Sequence, residues 1–223
     1  MILTVGNTKG GVGKSTLAVN LAVVRVTTGY DVLLVDGDEQ ATATIFSDTR
    51  AEELGSTGYT IASLRGKALR DQVQKFAPKY DDIIIDVGGR DTGSLRAALT
   101  VSDIVLIPIR PRSPDVWALD DIIPLIEEAR LPNPNLRALV VINAADARGK
   151  DNKATAEIIQ KREALELLDL TIGNRKVFSD ALSFGRAVTE YKPQDTQANE
   201  ELQRLVALLY SQPSEKSNVT NAI

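Results

Sequence analysis

Along this chain, short runs of apolar and largely β-branched residues alternate with longer segments whose apolar positions recur at helical spacing. The apolar runs are continuous, which is typical of parallel strands covered by helices on both faces. They predict strands at 2–6, 32–36, 82–86, 104–108 and 139–143, with a weaker strand near 170–178. The helical segments lie at 15–27, 61–76, 94–100, 116–129, 153–168 and 198–211. This alternation predicts an α/β fold, a twisted sheet of about seven or eight mostly parallel strands with helices on both faces.

Two segments follow neither pattern. Residues 47–59 are rich in Gly, Ser, Thr and acidic side chains, which predicts a surface loop. Residues 212–223 are polar, so we expect a disordered tail after a single domain that spans 1–211.

The composition restricts the chemistry that the protein can perform. The 223 residues include no Cys and no His, which excludes disulfides, thiolate metal sites and the commonest general base. Any hydrolysis must therefore use carboxylates, lysines, backbone amides and a metal held by oxygen atoms. The first strand leaves no room for a signal peptide and no apolar run could span a bilayer, so we expect a cytoplasmic protein. The net charge of −4 argues against a surface that is basic throughout.

The segment from 7 to 16 joins the first predicted strand to the first helix and reads NTKGGVGKST. Glycines allow successive backbone N–H groups to point at a phosphate, and the helix N-terminus adds its positive end. In such a loop Lys14 reaches the β- and γ-phosphates, Ser15 ligates Mg²⁺ and Thr16 donates to the α-phosphate. The arrangement predicts a site for a nucleoside triphosphate. The nucleotide-binding residues predicted in this loop are Lys9, Gly11, Val12, Gly13, Lys14, Ser15 and Thr16.

The loop differs from the standard phosphate-binding motif at its start. Thr8 occupies the position of the usual first glycine, and Lys9 adds a second lysine close to Lys14. A charge at the mouth of such a loop can reach the nucleotide of a neighbouring subunit. The run KGGVGKST resembles the deviant Walker A box of the ParA/MinD ATPases. The resemblance implies an ATP-dependent homodimer in which Lys9 crosses to the partner's phosphates; an exposed, solvated lysine is the alternative.

Acidic residues end two of the predicted strands, at the edge of the sheet where the loop also lies. The segment from Asp36 to Gln40 resembles the Asp-x-Asp-Pro-Gln box of ParA proteins, with Glu39 in place of proline. The resemblance makes Asp38 the residue that orients the attacking water and Asp36 a carboxylate on the Mg²⁺ side, although acids that merely cap the strand are the alternative. Asp86 ends a Walker B-like strand and is expected to hold Mg²⁺ through water. The predicted metal site combines Ser15, Asp36 and Asp86, and the predicted catalytic residues are Lys9, Lys14 and Asp38.

The segment after Asp86 reads VGGRD, where the family usually has a Pro-Pro pair. The two glycines predict a more flexible switch segment. Two roles stay open for Arg90: it contacts phosphate or the partner subunit, or it pairs with Asp91.

Asn143 ends the fifth predicted strand and is followed by two alanines. A carboxamide can pair with adenine as both donor and acceptor, and the resemblance assigns base recognition to this strand. A turn-forming Asn is the alternative. The Asn-Lys-x-Asp type of pattern that selects guanine is absent, which favours ATP as the ligand.

The resemblance covers nearly the whole chain and includes the segments 103–108 and 183–191. Members of the family position plasmids, chromosome origins, carboxysomes, chemotaxis clusters or the division site. The resemblance implies slow ATP hydrolysis that a ParB-like or adaptor protein stimulates, and non-specific DNA binding by the dimer, hence association with the nucleoid. The candidate DNA contacts are Arg175, Lys176 and Arg186, with a second basic stretch at 148–162; ordinary solvated basic faces are the alternative.

Two other functions are compatible with a phosphate-binding loop. MinD-like membrane binding requires a basic amphipathic helix, but the tail carries Lys216 as its only basic residue, which argues against a membrane partner. A metabolic ligase or kinase would phosphorylate a small substrate, and Lys9 together with Asp36 and Asp38 argues against that activity. ATP hydrolysis that DNA and a partner protein stimulate would distinguish a positioning protein from a ligase.

Overall fold

The computed structural model describes residues 1–89, 92–146 and 149–210. The strands are β1 Ile2–Gly6, β2 Val32–Asp36, β3 Thr60–Ser63, β4 Asp82–Val87, β5 Ile104–Ile109, β6 Arg137–Ala145 and β7 Glu166–Gly173. Within the described residues they form one seven-stranded sheet in the order β3-β2-β4-β1-β5-β6-β7. Every pair of neighbouring strands in this sheet is parallel.

Helices cover both faces of this sheet. They are α1 Lys14–Thr27, α2 Thr42–Leu54, α3 Gly66–Phe76, α4 Thr92–Leu99, α5 Ser113–Trp117, α6 Leu119–Arg130, α7 Lys150–Ile159, α8 Lys176–Leu182 and α9 Thr196–Tyr210. Residues of α1, α2, α8 and α9 pack on one face, and residues of α3, α4, α6 and α7 pack on the other. Leu34 joins the first cluster and its neighbours Leu33 and Val35 join the second, as the two-residue period of a strand requires. The predicted α/β fold is confirmed.

The carboxyl ends of β1, β2 and β4 meet at one edge of the sheet. Asp36 of β2 pairs in register with Asp86 of β4, and Asp86 pairs with Val5 of β1. The two acids therefore lie beside the loop that follows β1, in the crevice where open α/β sheets bind ligands.

The prediction of a surface loop at 47–59 is wrong, because α2 continues through most of this segment. The buried Arg50 side chain donates to the Gly185 carbonyl oxygen at 2.9 Å and pairs with Glu190 at 2.7 Å. Partners that lie far along the chain thus anchor a helix whose local composition resembles that of a loop.

Three predicted helices have other boundaries. Residues 60–63 form β3, so the helix predicted at 61–76 begins at Gly66. The helix predicted at 116–129 is divided at Ala118 into α5 and α6. The helix predicted at 153–168 ends at Ile159, and β7 occupies Glu166–Gly173 rather than 170–178.

β7 was mispositioned because it lies at the edge of the described sheet, where only one face of a strand is covered. Its buried residues Leu168, Leu170 and Ile172 alternate with exposed polar ones. Some predictions concern positions that lie outside the described residues: Arg90, Asp91, Arg148 and the tail at 212–223.

Candidate nucleotide-binding site

The glycine-rich loop between β1 and α1 adopts a conformation that requires its glycines. Gly11 and Gly13 have φ angles of 71° and 93°, in the left-handed region that other residues rarely adopt. A Cβ atom on Gly13 would also collide with the carboxamide of Asn143. At the start of the loop, the Asn7 side chain donates to the Pro108 carbonyl oxygen at 2.9 Å, which attaches the loop to β5.

The two lysines of this loop occupy different environments. Lys14 is buried, and its Nζ donates to the Lys9 carbonyl oxygen at 2.9 Å. Burial lowers the pKa of Lys14, and the negative charges of Asp86 and Asp38 oppose that shift. Lys9, in contrast, has an exposed side chain. One lysine therefore lies inside the site and the other lies at its surface.

Asp36 is fully buried and holds the start of α2. Its Oδ2 accepts hydrogen bonds from the backbone N–H and the hydroxyl of Thr44, at 2.8 and 2.7 Å. Its Oδ1 accepts the backbone N–H of Asp38 at 3.1 Å. Both oxygens thus have partners within the protein, and metal ligation by Asp36 stays a prediction.

Asp86 is also fully buried, and neither of its carboxylate oxygens has a hydrogen-bond partner of ordinary geometry among the described residues, although the Ser15 hydroxyl is near enough to act on its charge. Burial raises the pKa of Asp86 to about 7, and the nearby Ser15 hydroxyl opposes that shift. A buried oxygen without a partner calls for an ion or water that satisfies it.

The donors around Asp86 fit Mg²⁺. This ion binds one or two protein oxygens and completes its shell with water and substrate phosphates. Across the described residues, no group of three or more acidic side chains forms a self-sufficient metal cage. Ser15 and Asp86 are therefore suited to an ion that arrives with a nucleotide.

Asp38 lies against the segment that follows β4. A Cβ atom on Gly88 would lie 2.5 Å from the carboxyl carbon and from both carboxylate oxygens of Asp38. A Cβ atom on Gly89 would lie 2.5 Å from the Thr8 carbonyl oxygen. The two glycines thus allow this segment to approach both Asp38 and the phosphate-binding loop. The predicted flexibility of the segment stays a prediction.

Two adjoining cavities lie at this edge of the sheet. The first, of about 460 Å³, is lined by Gly10, Gly11, Gly13, Lys14, Ser15, Thr16, Asp38, Gln40, Thr42, Gly89 and Arg110. The second, of about 630 Å³, shares Gly13, Thr16 and Arg110 with the first and extends to Asn143, Arg175 and Lys176. The sequence analysis did not predict that Gln40, Thr42 and Arg110 line the site. The available signals were the position of Gln40 and Thr42 just after Asp38 and that of Arg110 at the end of a strand.

Asn143 contacts the loop in this structure. Its Nδ2 donates to the Val12 carbonyl oxygen at 2.7 Å, and the residue is 9% exposed at the wall of the second cavity. The amide nitrogen therefore holds the phosphate-binding loop, and adenine recognition by Asn143 stays a prediction.

Two of the three candidate DNA contacts are paired with acidic side chains. Arg175 pairs with Glu201 at 2.8 Å, and the exposed Lys176 pairs with Asp180 at 3.4 Å. Both residues line the second cavity. Arg186 is partly exposed on the segment after α8. DNA binding by these residues stays a prediction.

The second basic stretch is described only in part. Arg162 pairs with Asp120 at 2.7 Å, and Arg148 lies outside the described residues. Of the helices in the described part of the chain, none has the length and apolar character that crossing a membrane requires.

Comparison with known proteins gives a consistent family assignment. The family profile described as the CobQ/CobB/MinD/ParA nucleotide binding domain matches residues 3–188. The chain is 27% identical over 205 residues to maintenance of carboxysome distribution protein A of Halothiobacillus neapolitanus. The aligned region covers 92% of this chain and 94% of that protein.

Two solved structures share the fold. A plasmid partition protein of Borrelia burgdorferi B31 bound to AMPPNP superposes with a TM-score of 0.73 at 22% identity. The matched region covers 93% of this chain and 98% of that protein's chain. The septum site-determining protein MinD of Pyrococcus horikoshii OT3, complexed with Mg-ADP, has a TM-score of 0.73 at 18% identity, with coverages of 94% and 96%.

The ligands of these two proteins are of the kind predicted here, ATP with Mg²⁺. The profile match extends from β1 to the segment after α8 and includes the phosphate-binding loop and both strand-end acids. The chain therefore belongs to the CobQ/CobB/MinD/ParA family of nucleotide-binding domains, as its resemblance to the ParA/MinD ATPases predicted.

Proposed function

We propose that this protein is an ATPase that binds ATP with Mg²⁺, closes into a dimer around two nucleotides and hydrolyses ATP slowly until a partner protein stimulates it. The observation that carries the proposal is the pair of lysines on one loop, Lys14 buried at the phosphate cavity and Lys9 exposed. Relatives named for carboxysome distribution, plasmid partition and septum-site determination support a cycle whose output is the position of a cargo.

Within one subunit, the described residues supply the groups that hydrolysis requires. Lys14 brings a positive charge to the phosphate cavity, where it stabilises charge that develops on the phosphate oxygens. Asp38 lines the same cavity, and we assign to it the orientation of the attacking water because the chain has no histidine. Mg²⁺, when bound, would neutralise phosphate charge and would be held by Ser15 and, through water, by Asp86.

Dimer formation tests the role of Lys9. We expect Lys9→Ala to abolish ATP-dependent dimerisation in light scattering while nucleotide binding persists, because Lys14 and the backbone of the loop are unchanged. Lys67→Ala is the matched control, since Lys67 is an exposed lysine on α3. Dimerisation of Lys9→Ala at the wild-type ATP concentration would remove Lys9 from the interface.

DNA retention tests the proposed output. The ATP-bound dimer should bind DNA without sequence preference and release it as salt rises, because the contacts are to phosphates. We expect Arg186→Glu to weaken the gel shift at low salt, and Arg70→Glu on α3 to leave it unchanged. An unaltered shift with Arg186→Glu would leave this surface without a role in DNA binding.

The same assays distinguish the positioning cycle from a metabolic ligase. ATP hydrolysis that rises with DNA and a candidate partner protein supports the proposal. Turnover that occurs only with a small acceptor molecule would instead indicate a ligase or kinase.

A further inference from the structure

Arg110 follows β5 directly and lies beside the phosphate-binding loop. Its Nη2 is 3.8 Å from the position that a Cβ atom of Gly11 would occupy. The same side chain lines both cavities, which otherwise share only Gly13 and Thr16. The guanidinium group therefore stands at the boundary between the two cavities.

This guanidinium group lacks the partner that buried arginines have elsewhere in the protein. The buried Arg25 pairs with Asp82 at 2.6 Å, and the buried Arg50 pairs with Glu190 at 2.7 Å. The Nε of Arg110 is buried without a hydrogen-bond partner, and no ion pair joins Arg110 to any acid among residues 1–89, 92–146 and 149–210. A buried donor without an acceptor is unfavourable, so an anion bound in these cavities would stabilise the guanidinium group.

The boundary position indicates which part of a nucleotide supplies that anion. The first cavity contains Lys14 and Ser15, which suit the β- and γ-phosphates. The second cavity extends away from them toward the carboxyl ends of β6 and β7 and toward α8. If the nucleoside occupies the second cavity, the α-phosphate lies where the cavities join. Thr16, which is predicted to donate to the α-phosphate, lines that same junction.

We propose that Arg110 binds the α-phosphate of the nucleotide held by its own subunit, an inference that rests on the proposed function. An arginine suits this role because its planar guanidinium is always charged and can donate two parallel hydrogen bonds to phosphate oxygens. Together with Lys14 it brings two positive charges to the phosphate site. Arg110 thus extends the phosphate site beyond the loop to the neighbouring strand.

Nucleotide affinity tests this role. Arg110→Met keeps an apolar stem and removes the charge. We expect this variant to bind ADP and ATP more weakly by the same factor, about tenfold or more, in isothermal titration calorimetry with Mg²⁺. Equal weakening is expected because ADP and ATP both carry the α-phosphate and differ only in the γ-phosphate. Arg110→Lys keeps the charge but loses the two parallel hydrogen-bond donors of the guanidinium, so it should weaken the binding of both nucleotides less. Arg112→Met, at an exposed arginine two residues on, should bind both as the wild type does.

The possible outcomes separate this inference from the proposed function. A wild-type protein that binds neither ADP nor ATP refutes the proposed function itself. Wild-type affinity of Arg110→Met for ADP, or a loss confined to ATP or to dimerisation, overturns the α-phosphate assignment. If Arg110→Met does not fold, Arg110→Lys decides: weaker binding of both nucleotides supports the assignment and unchanged binding overturns it.

Discussion

Gly88 provides a way to move the carboxylate of Asp38 without altering the phosphate-binding loop. A Cβ atom on Gly88 would lie 2.5 Å from the carboxyl carbon and both oxygens of Asp38, whereas ordinary carbon contacts begin at about 3.4 Å. Gly88→Ala should therefore displace the carboxylate by roughly 1 Å.

The side chain of Asp38 should move rather than the backbone around it. Gly88 directly follows β4, and the Gly37 N–H donates to the Asp86 carbonyl oxygen at 2.8 Å, which fixes this edge of the sheet. The Asp38 carboxylate is fixed less firmly, because within the described chain it accepts one hydrogen bond, from the Gln40 N–H at 3.0 Å. Gly88 does not have a positive φ, so alanine imposes no backbone strain there.

The expected effect is on turnover and not on binding. A displacement of 1 Å of a reacting or orienting group can cost about 100-fold in rate, or about 2.7 kcal/mol in activation free energy. Phosphate release at saturating ATP should fall by that order in Gly88→Ala, while the dissociation constant for ATP stays close to that of the wild type. The loop that contacts the nucleotide is unchanged.

A double-mutant cycle shows whether the effect passes through Asp38. In an Asp38→Ala background, Gly88→Ala should cause no further loss of rate, because the carboxylate it displaces is absent. Wild-type turnover in Gly88→Ala, or an equal loss in both backgrounds, would refute the reasoning.

Two further predictions concern stability. Arg50→Met should lower the free energy of unfolding by about 3 kcal/mol or more in urea titrations, because it removes the cation that pairs with Glu190 and the donor to two backbone oxygens. Arg137→Met, at an exposed pair, should cost about 1 kcal/mol or less. In protein free of nucleotide and metal, Asp86→Asn should raise the free energy of unfolding by up to about 4 kcal/mol near pH 8 and leave it unchanged near pH 4. Burial raises the pKa of Asp86 from 3.8 to about 7, so the wild type loses stability as pH rises through that range.

Each stability prediction has a clear contrary result. Equal losses for Arg50→Met and Arg137→Met would mean that α2 does not depend on the buried pair. A stability difference between Asp86→Asn and wild type that does not vary with pH would mean that Asp86 is not protonated more readily in the folded state.

The central strands could be predicted from the sequence because both of their faces are covered. Every residue of β2, β4 and β5 is buried, so each reads as a continuous apolar run. The strands at the two ends of the described sheet differ: β3 has no fully buried residue, and β7 alternates. Half-covered strands resemble loops or helices in the sequence, which is why the sequence pattern missed β3 and misplaced β7.

The site divides in the same way between local and distant contributions. The loop from 7 to 16 was predicted because its chemistry lies in consecutive residues. The contacts of Asn143 with Val12 and of Arg110 with the loop depend on the strand order, in which β5 pairs with β1 and β6 pairs with β5. Both strands begin more than a hundred residues from the start of the chain. Before strand order is known, an arginine between an isoleucine and a proline carries no signal of phosphate binding.

Asp36 and Asp86 show how structure separates residues that the sequence treats alike. Both are acids at the ends of buried strands, and both were predicted as metal-site residues. Asp36 accepts three hydrogen bonds, all from the segment 38–44, so folding of the chain itself satisfies it. Asp86 is equally buried, and neither of its oxygens has a hydrogen-bond partner of ordinary geometry among the described residues, so it is the carboxylate that is open to a ligand. We infer that Asp36 positions Asp38 and that the response to Mg²⁺ depends mainly on Asp86.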